Sequence, residues 1–347
     1  MDELHSLGEV EAALRALGFF EGGAAGFVAD VYLGYGLSES LRRGGGAAPP
    51  EPCRLPAAAV HVRAEHEPRR PAGHFHVGVW ERTWTDEEYA AAVESIREAI
   101  ARGDVYQVNI VQHLSAPFSG DAAGIADALA PLHPLQPRPL EGDGWTIVSG
   151  SPELFLARRG RRVWTMPIKG TRPRGVPGLA ESGKDAAEHV MIVDLERNDL
   201  ARVCEPGSIG WPELMAPHGL AGVEHLVSTV EGRLREPVSV AELLEATFPG
   251  GSVTGAPKIA AIDLIAALEP VGRGAAMGAL GVVYPNGDLD LALTIRTFAV
   301  AEGRLHFWVG GGIVWDSDPG EEIEESWTKA GPLFEAIGSC VPEVVLR

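Results

Sequence analysis

The chain has 347 residues, 29 of them basic and 48 acidic, for a formal net charge of −19. Nucleic acid and anionic membranes both call for a basic surface, so neither is expected as the main partner. Charges break every apolar run short of a membrane span and no charged-then-apolar leader follows Met1. Cys53, Cys204 and Cys340 are too few and scattered for a disulfide framework or zinc cluster, so a protein with reduced thiols in the cytoplasm is expected.

An apolar helical stretch runs from Val10 to Phe20, followed by Gly-rich sequence and a 44–50 loop. His61, His66, His74 and His76 lack the carboxylate or thiolate company of a metal site and read as solvated or strand-edge residues. Thr85 and Glu88 have capping-box spacing. Tyr89, Val93, Ile96 and Ile100 then recur at helical intervals up to Gly103, which suits a left-handed stop. Residues 105–114 alternate like a strand, with Tyr106, Val108 and Ile110 on one side and Gln107 and Asn109 on the other. A hairpin joins 153–158 to 162–166. Helices follow at 184–200, at 239–247, where Ser239 and Glu242 repeat the capping-box spacing, and at 257–268. Strands at 277–284, 289–299 and 304–314 come next, the first two joined by an Asn286-Gly287 turn, and a last helix opens after Asp318-Pro319. Hairpins interleaved with helices, without βαβ regularity, predict an α+β fold.

On the last helix Glu322, Glu325 and Lys329 share a face. It suits a grip on a hard cation and an anion, or a solvated surface with a Glu325–Lys329 ion pair. Glu188 lies on a stripe with Met191, Ile192 and Leu195, and a carboxylate on an apolar face needs a cation or a basic partner. Lys169 is bracketed by Pro167 and Gly170. An ordinary lysine is protonated at neutral pH, but a desolvated one near other cations can become a nucleophile. The 250–258 segment departs from the phosphate-loop pattern, since Ala256 and Pro257 separate Gly255 from Lys258. It reads as a tight helix entry whose amides suit an anion such as a carboxylate. Gly310-Gly311-Gly312 either opens backbone amides to a ligand or bends a sheet. His225 and Arg296 say nothing singly.

Taken in order, these segments resemble one family. They are Gly103-Asp-Val-Tyr-Gln-Val-Asn109, Ser151-Pro-Glu-Leu-Phe155, Pro167-Ile-Lys-Gly-Thr171, Ala187-Glu-His-Val-Met-Ile-Val-Asp-Leu195 with Arg197-Asn-Asp199, and His225-Leu-Val-Ser228. Phe248-Pro-Gly-Gly-Ser-Val-Thr-Gly-Ala-Pro-Lys258, Thr294-Ile-Arg-Thr297 and Gly310-Gly-Gly-Ile-Val314 through to Lys329 complete the set. The run is similar to the chorismate-utilising enzymes, among them the anthranilate, aminodeoxychorismate, isochorismate and salicylate synthases, over about residues 84–340. The resemblance implies a single α+β fold of antiparallel sheets packed face to face and flanked by helices. Residues 1–83 would be a shortened N-terminal segment of the same globule, with 84–347 the chorismate-binding catalytic domain.

Within the family, Lys169 stands where anthranilate synthases have alanine, and Gln107 where isochorismate and salicylate synthases carry a lysine. Both favour aminodeoxychorismate synthase component I. The resemblance then implies Mg²⁺ held by Glu188 and Glu325 with Glu322 close by. Arg296, Lys329 and amides near Gly311 and Gly312 would hold the carboxylates of chorismate, with Gln107 and Thr254 also lining the substrate. Glu153 would act as general acid, Lys169 would add at C2, and His225 and Thr171 would lie near the ring or leaving hydroxyl. No Gly-x-Cys-x-Gly glutaminase signature surrounds any cysteine, so ammonia is expected from a class I glutamine amidotransferase subunit on a separate chain. The short N-terminal region implies no tryptophan feedback site. An ortho-aminating synthase and a non-catalytic chorismate-binding subunit are the alternatives.

Overall fold

The computed structural model describes residues 4–173, 183–220 and 223–340, with side chains for all of these except 170–173, 183–187, 219–220 and 223–225. Helix α1 (Leu7–Ala16) precedes strands β1 (Phe27–Leu33), β2 (Ala58–Ala64), β3 (Phe75–Val77) and β4 (Glu81–Arg82), and α2 (Asp86–Arg102) follows. Then come β5 (Gln107–Gly120), α3 (Ala123–Leu129), β6 (Leu140–Gly142), β7 (Trp145–Ser149), β8 (Leu154–Arg159), β9 (Arg162–Met166) and β10 (Ile168–Pro173). Next are α4 (Gly183–Ala201), β11 (Gly210–Leu220), β12 (Val223–Arg233), α5 (Val240–Thr247), β13 (Gly255–Ala256) and α6 (Lys258–Leu268). The chain closes with β14 (Ala279–Val283), β15 (Leu289–Leu293), β16 (Thr297–Ala301), β17 (Arg304–Ile313) and α7 (Pro319–Ala336).

Local chemistry explains the boundaries. Thr85 caps α2 with a full reciprocal box to Glu88, and Gly103 ends it at φ +81°. Ser239 and Glu242 do the same for α5, and the Asp318 carboxylate accepts from the Gly320 and Glu321 amides at the start of α7. The first helix sits earlier than its apolar stretch suggests: Ser6 caps it, and it closes before Gly18 at φ +86°.

The described strands form two antiparallel sheets. One runs β10-β12-β9-β8-β15-β14-β1-β2, with β11 also on β12. The other runs β13-β5-β17-β16-β7-β6, with β3 and β4 also on β5. Inward residues of both, such as Val31, Leu291, Ile110 and Phe298, feed one continuous hydrophobic cluster. Burying this apolar surface is the main favourable contribution to folding. Residues 107–114 of β5 are covered on nearly every position of both faces, so Gln107 and Asn109 are buried, not solvent-facing, and Tyr106 stands exposed instead. The expected single strand over 289–299 is two strands, because the chain leaves one sheet after β15 and enters the other at β16. Arg296, at φ +51°, makes that corner. Earlier in the chain a first corner lies at 150–153, between β7 and β8, and the Gly150 amide donates to the Arg296 carbonyl at 2.9 Å, tying the two together. Phe307 and Phe334 meet edge to face at 5.5 Å, anchoring α7 on β17.

Candidate active site

The glycines of β17 are shaped by what surrounds them. A Cβ at Gly310 would fall 1.9 Å from the Ile110 carbonyl oxygen, so only glycine lets β17 lie this close to β5. At Gly312 it would fall 2.0 Å from Gln107 Nε2, and at Gly311 3.0 Å from Glu322 Oε2 and 3.5 Å from Lys329 Nζ. Helix α7 lays its functional face along this run. Buried Glu322 accepts from Ser317 Oγ at 2.6 Å, Lys329 Nζ donates to the Gly310 carbonyl at 3.3 Å, and Lys329 pairs with Glu325 at 2.6 Å. The face thus carries the expected ion pair, yet Glu322 is withdrawn from water.

Gln107 is fully buried, its backbone paired with Ala256, and among the described residues its Oε1 has no hydrogen-bond partner. Asn109 Oδ1 is in the same position. Buried orphan acceptors are open positions for a ligand's donors. Thr254 is fully buried and its carbonyl accepts the Asn109 amide at 2.9 Å. Arg273 fastens the 253–254 segment to β5, donating to the Val253 carbonyl at 2.9 Å, the Asn109 carbonyl at 2.7 Å and Glu269 at 2.7 Å.

Both corners between the sheets carry a charged residue of the predicted set. Glu153, buried at the first, accepts from Ser252 Oγ at 3.0 Å and from the Ile168 amide. Burial pushes its carboxyl above the usual range, against the pull of Lys169, those two donors and Arg296. At the second corner, burial lowers the Arg296 guanidinium, with Glu153 pulling it back up. Lys169 pairs with Leu226 on β12 immediately before a register shift that ends at Thr171, and such a bulge re-aims the side chains around it. The neighbouring helix α4 presents His189, fully buried, with both ring nitrogens unpartnered among the described residues. Burial first and Lys169 second lower that ring to about 4, so it is neutral. Thr171 and His225 are register partners on β10 and β12, and their side chains lie outside the described residues.

Sequence reasoning missed His189, Glu196 and Asp199. The buried stripe of α4 runs through His189, Ile192, Val193, Glu196, Asp199 and Leu200. It is rotated by about one residue from the stripe read through Glu188, which is half-buried. Polar residues recurring at 189, 196 and 199 with the 192–193 and 200 apolar positions were the signal available.

Mg²⁺ takes hard oxygen donors and commonly keeps only one or two protein carboxylates, completing its shell with substrate and water. Among the described residues no three His, Cys, Asp or Glu side chains group as a ready-made cage. The donor chemistry nevertheless fits: the Glu322 carboxylate, with Glu325 one turn on, borders the space that a Gly311 side chain would fill. His61, His66, His74 and His76 are all exposed, as expected for solvated residues.

The sequence model described as chorismate binding enzyme matches residues 41–335. The chain belongs to the chorismate-binding enzyme family. The anthranilate synthase component 1 of Streptomyces coelicolor is 40% identical over 299 residues, covering 82% of this chain and 58% of that protein. The aminodeoxychorismate synthase component 1 of Klebsiella aerogenes is 40% identical over 273 residues, covering 75% and 60%. The chain therefore spans about 60% of the length of the curated relatives it matches. Among solved structures, the anthranilate synthase component I of Streptococcus pneumoniae superposes with a TM-score of 0.76 at 26% identity, covering 89% of this chain and 80% of that one. The family and its fold of helices and antiparallel sheets agree with the sequence reading. No described helix is long and apolar enough to cross a membrane.

Proposed function

We propose that this chorismate-binding protein aminates chorismate at C4, as an aminodeoxychorismate synthase component 1, with ammonia from a class I glutamine amidotransferase subunit on a separate chain. The observation that carries the reading is Lys169, placed next to the bulge of β10 within electrostatic reach of buried Glu153. Anthranilate synthases have an alanine at that position. The free amine of Lys169 adds at C2 while Glu153 gives its proton to the departing C4 hydroxyl. Ammonia then attacks C4 and the C2–N bond to lysine breaks, so pyruvate is retained and the lysine returns. Burial suits Glu153 to this task, since a carboxyl that holds its proton more tightly is a better donor near neutral pH. Arg296, Lys329 and the amides around Gly311 and Gly312 bind the substrate carboxylates, with Gln107 and Thr254 beside the ring. His225 and Thr171 are proposed near the leaving hydroxyl. Glu188 and Glu325, with Glu322 beside them, would hold Mg²⁺, which would supply charge neutralisation for a ring carboxylate. A surface at −19 overall repels a dianion at long range, so these cations must make the pocket locally positive.

Incubation with chorismate, Mg²⁺ and an ammonium salt is expected to yield 4-amino-4-deoxychorismate by NMR. Anthranilate as the sole product would overturn the assignment and favour the second reading, an ortho-aminating synthase, which the Streptomyces relative supports.

A further inference from the structure

We propose that Glu196 is a positioning residue for Glu153, holding the Gly251–Ser252 turn whose serine hydroxyl orients that acid. The inference deepens the role given to Glu153 and rests on that reading. Glu196 lies in the buried face of α4 and accepts the Gly251 amide hydrogen. The turn can approach because residue 251 is glycine: a Cβ there would sit 2.5 Å from Leu195 Cδ2 and 3.3 Å from Glu196 Oε1. The next residue, Ser252, itself buried, donates to Glu153 Oε1 at 3.0 Å. Two buried carboxyls therefore grip consecutive residues of one three-residue turn, Gly251–Val253.

The charges around Glu196 decide its protonation. Asp199, one turn on along α4, is taken by Lys258 of α6 at 2.6 Å, and Lys258 also donates to the Thr247 carbonyl. Glu153 faces it from the sheet corner, and Arg202 bears on Asp199. Burial, Asp199 and Glu153 together hold the Glu196 carboxyl above its ordinary range, outweighing Lys258. A protonated Glu196 still accepts the Gly251 amide through its carbonyl oxygen, so it fixes the turn without adding a second negative charge. Ionised, it opposes the carboxylate that Glu153 becomes after giving up its proton.

Three variants separate orientation from titration. Glu196→Leu removes the acceptor and should lower kcat about tenfold with little change in KM, a part of what a general acid contributes. Glu196→Gln keeps a neutral acceptor, so it should recover most of that loss. It should also move the alkaline limb of the kcat/KM profile to lower pH, because no negative charge can appear at 196 to hold the proton on Glu153. Rates are scored as chorismate consumed, whatever the product, so a wrong regiochemistry leaves the comparison intact. Infrared spectroscopy gives a readout independent of turnover: beside the band of protonated Glu153, a second protonated-carboxyl band at neutral pH should vanish in Glu196→Gln and persist in Glu153→Gln. A Glu196→Gln profile that superimposes on the unsubstituted protein, or a spectrum that loses no protonated-carboxyl band on that substitution, overturns the proposal. An unsubstituted protein that consumes no chorismate defeats the functional reading instead, while the infrared result still decides whether Glu196 holds the proton.

Discussion

Replacing Arg273 by methionine tests how the 253–254 segment is held against β5. Arg273 and Glu269 are each only 2% exposed, one helical turn apart in sequence, and the guanidinium also binds the Val253 and Asn109 carbonyls while stacking 4.4 Å from the Tyr35 ring. Methionine keeps most of the stem but strands the Glu269 carboxylate in the interior, where, among the described residues, the Val111 amide at 3.0 Å is the one donor left to it. Removing one partner of a buried pair costs about 3–5 kcal/mol. At roughly 2.1 cal/mol/K per residue, unfolding 347 residues carries about 0.7 kcal/mol/K, so the melting temperature should fall by about 4–7 °C. Differential scanning calorimetry measures this directly. The double variant Glu269→Leu/Arg273→Met should melt higher than the single one, because the unpaired charge is gone. A single-variant shift below about 1 °C, or a double variant less stable than the single, would refute the reasoning.

Three further outcomes are expected. Gly310→Ala should abolish folding or lower the melting temperature sharply, since its Cβ meets a backbone carbonyl, whereas Gly312→Ala should fold and lose activity, since its Cβ meets the amide end of Gln107; circular dichroism with a chorismate-consumption assay distinguishes them. His113 and His306, in contact at 3.1 Å, are held by burial near 3 and 4 against an ordinary 6.5. The unfolded chain thus takes up more protons than the native one below pH 6.5, and stability should fall with decreasing pH from there to about 4 by up to about 1.4 kcal/mol per pH unit for each ring; the double substitution of both by glutamine should flatten the plot of melting temperature against pH. Lys169→Ala should cut the rate of 4-amino-4-deoxychorismate formation by at least about a hundredfold while leaving the melting temperature within about 1 °C, and chelation by EDTA should stop turnover until Mg²⁺ is restored.

The parts of the fold legible in the sequence were those fixed by local chemistry. Thr85 with Glu88 and Ser239 with Glu242 mark helix starts that tertiary context leaves alone, and the hairpin of β8 and β9 follows from the short turn between its strands. What escaped was set by distant partners. Nothing near Gln107 in sequence says that β17 and β13 flank its strand or that α6 and α2 pack against it. Nothing near residue 296 says that the chain changes sheets there. The same holds for the site: Lys169, Glu153 and the α7 face stand out by residue type and spacing, and the resemblance to a family gave them roles. Glu196 and Asp199 read as ordinary helix carboxylates until α6 and the 251–253 turn were packed against them.

Strand β1 joins β14 over five residue pairs, from Ala29 opposite Val283 to Leu33 opposite Ala279, and β2 covers its other side. The first eighty residues therefore serve as the hem of the sheet that carries Lys169. Cut away, they would leave the β14 amides and carbonyls facing water as a ready template for a neighbouring chain. Shortened versions of this protein should accordingly be lost to self-association before their chemistry could be measured.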